Sequence, residues 1–190
     1  MNKIAGAIRN RLSLRPPQEE SLNILADLAD KLTLKKNADL AAELAKVKSL
    51  YPTCSDFERN FPSLCFALAT GVGKTRLMGA FVAYLYLTKG FKNFFVLAPN
   101  LTIYNKLIAD FSDISSPKYV FRGIGEFVHN QPRVVTGDNY NDVRGQLFES
   151  QIHVNIFNIS KINAETRGGS VPRIKRLSEC LGDSYFNYLS

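Results

Sequence analysis

The sequence predicts an α/β fold: a mostly parallel sheet flanked by helices, with a helical segment ahead of it. Three observations point there. Residues 63–68 and Asn93–Ala98 each form a short apolar run, Phe66-Ala67-Leu68 in the first and Phe94 through Ala98 in the second, closed by Pro99. Short runs of this kind are the pattern of parallel strands buried on both faces. Between them, residues 74–87 carry Leu77, Met78, Phe81, Val82, Tyr84, Leu85 and Tyr86 on nearly every side, as a helix enclosed by core would. A strand, a helix and a parallel strand of these lengths make a right-handed βαβ unit. The third observation lies upstream, where leucines recur at helical spacing through residues 19–50.

The turn inside the βαβ unit carries the chemistry. In Thr70-Gly71-Val72-Gly73-Lys74-Thr75 the glycines let the backbone curl so that successive N–H groups face a phosphate. The helix behind them adds the positive end of its dipole. Lys74 can reach β- and γ-phosphates as a point charge, and the Thr75 hydroxyl can ligate Mg²⁺. The pattern departs from the usual phosphate loop at one place: Leu68 stands where a glycine is expected, five residues before Gly73. The alternative is an ordinary strand-to-helix turn containing Gly-Lys-Thr. The buried strand before it and the apolar helix after it favour a nucleoside-triphosphate site.

With 190 residues and 45% hydrophobic content, the chain can bury one core. No apolar run approaches the roughly 20 residues that span a bilayer, so no membrane association is expected. The first fifteen residues lack the continuous apolar stretch of a secretory signal. Arg9, Arg11 and Arg15, with no acid before Glu19, suit a transit peptide or a plain cytosolic start; a cytoplasmic protein is expected. Cys54, Cys65 and Cys180 are widely spaced and form no metal-ligand pattern with His129 or His153. The net charge of +7 suits a polyanionic partner, nucleic acid first.

In chain order, Pro16 and Pro17 make a stiff, extended approach, Pro17 being also allowed at a helix start, to a helix over residues 19–32, with Glu19 and Glu20 in its first turn. A second helix is expected over 38–50, capped by Asn37 and ended by Pro52. Gln18 has two readings. Its amide can pair with N6 and N7 of an adenine, or it is a solvated residue at a helix start. Residues 100–111 are amphipathic, with Ile103, Leu107, Ile108 and Phe111 facing inward, and residues 112–118 form a loop. Strands are expected at 119–121, 133–136 and 152–157, and Asp138 sits in a plain turn. Asn158-Ile159-Ser160 opens a short helix, and helical segments follow at 172–181 and 184–189. Lys161, Arg167, Arg173, Lys175 and Arg176 face a single acid, Glu165. They form either a phosphate-backbone contact or a solvated face.

These motifs, in this order, resemble those of superfamily 2 helicase-like ATPases. Arg15 and Gln18 look like the Q motif, Thr70–Thr75 like motif I, Val96-Leu97-Ala98-Pro99-Asn100 like motif Ia, and 154–161 like motif Ic. The run from Phe66 to Phe111 is most similar to the Res subunit of type III restriction–modification enzymes. The resemblance implies a partial RecA-like phosphate-loop NTPase domain over 63–190, preceded by a helical segment over 1–62 that carries Arg15 and Gln18. It implies ATP and Mg²⁺ as cofactors. Arg15 and Gln18 would recognise adenine. Thr70, Gly71, Val72, Gly73, Lys74 and Thr75, with Arg76 beside them, would hold the phosphates. Lys74 would be the catalytic charge and Thr75 the metal ligand. Pro99, Asn100, Thr102, Asn158, Ser160 and Lys161 would lie along the backbone of double-stranded DNA, and a methyltransferase (specificity) subunit would be the protein partner.

Hydrolysis needs an Asp-Glu pair to orient Mg²⁺ and activate water, and the sequence holds no Asp-Glu dipeptide. An N-terminal fragment of a longer motor, binding Mg-ATP without turning it over, is the expectation. The rival readings are a superfamily 2 DNA or RNA helicase outside restriction and a free-standing nucleotide-binding module. A small-molecule kinase is disfavoured, since no acceptor-binding set of arginines or carboxylates is present.

Overall fold

The structure, a computed structural model, describes residues 2–35, 37–137, 139 and 152–158. Packing divides the chain into two compact units, Met1–Thr88 and Lys89–Ser190.

The first unit is helical: α1 (Lys3–Leu12), α2 (Pro16–Lys31), α3 (Leu40–Leu50) and α4 (Lys74–Lys89). Helix α1 was not foreseen. The Asn2 side chain caps it by accepting from the Ile4 and Ala5 amides, and Ala5, Ile8 and Leu12 form its buried stripe. Ser13, in a left-handed conformation, closes it. Helix α2 begins at Pro16, three residues before the expected start. Pro16 is therefore helical rather than part of an extended approach, and Pro17 stands in the first turn, as its allowance for a helix start foresaw, because the first N–H groups of a helix have no intrahelical acceptor and proline lacks only such a group.

Helix α3 starts two residues later than expected and under a different cap. The Asp39 carboxylate accepts from the Ala41 and Ala42 amides at 3.0 and 3.2 Å, whereas Asn37 stands in left-handed backbone. Asp39→Ala is expected to lower stability by about 1 kcal/mol, while Asn37→Gly leaves the cap intact; urea melts of the two variants check the assignment. Within α3, Glu43 is buried, accepting from the Thr33 amide at 2.8 Å and pairing with the Lys46 ammonium at 2.7 Å. The Lys46 hydrogen bond, and after it the Thr33 N–H, hold its carboxyl below the ordinary value of 4.5. A lowered folded-state pKa gives stability that is present above the unfolded value and lost as pH falls through the folded one. Glu43→Gln should thus flatten the decline of the urea midpoint below about pH 4.5; an unchanged acid limb would assign that decline to other carboxylates.

The strand expected at 63–68 is not a strand. The segment forms no helix, joins no ladder among the described residues, and is half-buried at best. Its apolar side chains find other partners. The Phe66 ring packs on Phe81 of α4, with centroids 5.0 Å apart. Leu64 packs against the cluster of Leu28, Leu32, Val47 and Phe57. Helix α4 itself matches expectation and buries Leu77, Ala80, Val82, Ala83 and Tyr84.

The second unit holds a parallel three-stranded sheet of order β1-β3-β2: β1 (Asn93–Ala98), β2 (Arg133–Val135) and β3 (His153–Asn158). The central strand β3 is buried throughout. Strand β1 stands where expected but is an edge strand with one open face, so Phe95 and Leu97 remain 43% and 45% exposed instead of buried. Helix α5 (Leu101–Ser112) lies on the sheet and buries Tyr104, Leu107 and Phe111. Ile103, expected inside, is 39% exposed, because the 104/107/111 stripe is rotated one position from it. The strand expected at 119–121 is a series of turns. It sets the Phe121 ring edge-on to Phe111, Tyr119 and Phe127, with Phe127 supplied by the short helix α6 (Glu126–His129). Asp138, the expected helices after residue 158 and the basic run 161–176 lie outside the described residues.

Candidate phosphate-binding site

The chain reaches α4 through Thr70–Gly73. Gly71 has φ +83° and Gly73 φ +87°, backbone that L side chains adopt only under strain. Two left-handed glycines on either side of Val72 make a concave run of backbone that opens directly onto α4 at Lys74. The first amides of that helix have no intrahelical acceptor and sit at the positive end of its dipole. Lys74 is exposed and Thr75 half-buried in the first turn. No atom lies within 4 Å of where a Cβ on Gly71 would stand, so that side of the loop has room. Such a turn suits an anion, and the Lys74 ammonium adds a mobile charge.

Arg15, Gln18 and Arg76 join the loop to the N-terminal helices. Gln18 is only 2% exposed. Its Oε1 accepts from the Arg15 amide at 2.8 Å, one half of a capping box at the start of α2. Its Nε2 donates to the Gly73 carbonyl at 2.8 Å, and the same carbonyl accepts the Leu77 amide of α4 at 3.2 Å. The Arg15 guanidinium donates to the Gly71 carbonyl at 3.2 Å. The Arg76 guanidinium donates to the Leu12 carbonyl at 2.9 Å. Arg15, Gln18 and Arg76, with Ser13, Gly71, Val72 and Gly73, line a cleft of about 320 Å³, at the small end of the size range of small-molecule sites.

The structure thus brings Arg15, Gln18, Thr70–Thr75 and Arg76 together. Gln18 stands against the loop backbone, with one N–H and one lone pair of its amide left over from these two bonds. Sequence reasoning missed this bracing role. Its signal was the Arg15-x-x-Gln18 spacing, which places an amide three residues past a helix cap. Among the described residues no group of three or more His, Cys, Asp or Glu side chains could hold a metal.

The residues expected along DNA lie in the second unit. Ala98 pairs in register with Asn158, so Pro99, Asn100 and Thr102 follow the same carboxyl edge of the sheet at which Asn158 ends β3. Asn100 caps α5, its Oδ1 accepting from the Ile103 amide at 2.9 Å, Thr102 is exposed, and Asn158 is buried. Ser160 and Lys161 lie outside the described residues.

Among the described residues no helix is long and apolar enough to cross a membrane. Comparison with known proteins returned a family model described as "Type III restriction enzyme, res subunit", matched over residues 11–189. No curated protein and no solved structure matched. The matched span takes in Arg15, Gln18, the glycine turn, α4 and all three parallel strands, nearly the entire chain, and the chain therefore belongs to the type III restriction enzyme res subunit family, a RecA-like phosphate-loop domain of the helicase-type ATPases.

Proposed function

We propose that this chain is the ATP-binding front part of an ATP-dependent DNA translocase within a type III-like restriction endonuclease, and that it binds Mg-ATP without hydrolysing it. The observation that carries the reading is the pair of left-handed glycines, Gly71 and Gly73, opening onto α4 at an exposed Lys74. Thr70–Thr75 cradle the phosphates, Lys74 neutralises charge toward the γ-phosphate, and Thr75 offers its hydroxyl to Mg²⁺. Arg15 and Gln18 flank the base side of the cleft. Residues 1–62 serve as the helical segment that holds those two side chains, and 63–190 as the first part of the ATPase domain. The sequence holds no Asp-Glu pair of the kind that orients Mg²⁺ and activates water, so turnover by these residues is not expected.

Pro99, Asn100, Thr102, Ser160 and Lys161 contact the backbone of double-stranded DNA rather than its bases, and Asn158, whose side chain is buried at the end of β3, does not itself touch it. The protein works in the cytoplasm beside a methyltransferase subunit. Calorimetric titration of the chain with Mg-ATP, alongside an assay for released phosphate, tests the nucleotide part. Saturable binding with no phosphate release is expected. No binding at millimolar nucleotide would sink the ATP site, and steady release abolished by Lys74→Ala would sink the claim of binding without turnover.

A further inference from the structure

Arg76 follows Thr75 directly and lies in the first turn of α4, where a cation opposes the helix dipole and where a phosphate would be near. Its guanidinium is nevertheless bonded to the Leu12 carbonyl at 2.9 Å. Leu12 is the last residue of α1, and the final carbonyls of a helix lack intrahelical partners and attract cations. Three residues further on, Arg15 donates its amide to Gln18 and its guanidinium to Gly71. The short stretch from Leu12 to Arg15 is therefore held at the Leu12 end by Arg76 and at the Arg15 end by Gln18 and the Gly71 carbonyl.

We infer that Arg76 is a positioning residue for nucleotide specificity: by holding the end of α1 it sets where Arg15 and Gln18 stand, and it governs base selectivity without itself binding phosphate. This rests on the nucleotide site proposed above. A ligand that has phosphates but no base separates the two roles, because it reads the loop and ignores the base side. Inorganic tripolyphosphate with Mg²⁺ is that probe.

In calorimetry on the full chain, Arg76→Met is expected to reduce the ratio of ATP to GTP affinity about tenfold, near 1.4 kcal/mol, while tripolyphosphate affinity stays within about twofold. Arg76→Lys, which keeps the charge and one donor, should restore most of the ratio. In the nucleotide-free protein, Arg76→Met should speed hydrogen exchange at the Arg15 amide and leave the middle of α4 unchanged. Equal losses for ATP, GTP and tripolyphosphate would overturn the inference and make Arg76 a phosphate ligand. An unchanged ATP-to-GTP ratio, or unchanged exchange at Arg15, would overturn it also. Wild-type protein that binds neither ATP nor tripolyphosphate would overturn the nucleotide site itself, a result distinct from both.

Discussion

Gly73→Ala should lose about 3 kcal/mol of stability in the first unit, far more than Gly71→Ala, although both glycines have left-handed backbone. The shared part of the cost is conformational: a side chain at φ +83° or +87° costs about 1–2 kcal/mol. The two then part company. A Cβ on Gly71 meets nothing within 4 Å, whereas a Cβ on Gly73 falls 2.6 Å from Gln18 Nε2. An amide at the tip of an exposed side chain could swing away at little cost. Gln18 cannot, since it is 2% exposed and bonded at both ends of its amide. Moving it gives up buried hydrogen bonds, about 1–3 kcal/mol more. Thermal or urea melts of the pair provide the check: similar losses for both variants would mean Gln18 yields freely. Gly73→Ala combined with Gln18→Ala relieves the clash, and should recover part of the loss if the clash is its cause.

Lys74→Ala is the largest effect expected on binding. Its ammonium is exposed at the head of α4, and truncation leaves helix packing untouched, so the melting temperature should hold within about a degree or two. Mg-ATP affinity should fall by about 1.5–3 kcal/mol, roughly 10- to 150-fold, the worth of a hydrogen bond to a charged group. The loss should be as large with tripolyphosphate as with ATP, because Lys74 faces phosphate and not base. Wild-type affinity retained in Lys74→Ala would remove the glycine turn from consideration as the phosphate site.

Much of the candidate site was legible in the residues themselves. The Gly-Val-Gly-Lys-Thr turn ahead of an apolar helix carries its geometry in its composition, since only glycine adopts those backbone angles at low cost. Helix α4 and strands β1 and β3 were equally legible from their apolar runs. The two missed strands share a physical cause: a run of apolar residues states that a segment needs burial, and leaves open which surface supplies it. Phe66 finds Phe81 rather than a neighbouring strand. Phe121 finds three aromatic rings rather than a sheet. Helix α1 escaped notice because its buried stripe is only Ala5, Ile8 and Leu12. Asp39 in place of Asn37 is the usual uncertainty of a helix start, where two residues of similar chemistry stand two positions apart.

The link between the N-terminal helices and the glycine turn has an asymmetry with an evolutionary consequence. Arg15 and Gln18 reach the Gly71 and Gly73 carbonyls, and Arg76 reaches the carbonyl of Leu12. Each of these three acceptors is main chain, which every amino acid possesses. At Leu12 inheritance can therefore erase the contact only from the donor end. Leu12 can drift without touching the acceptor, whereas each donor must be kept as a long side chain with N–H groups. At the Arg76–Leu12 contact, paired substitution, the usual trace of two residues in contact, has nothing to act on, and related sequences would betray that contact only through an arginine that stays fixed while residue 12 varies.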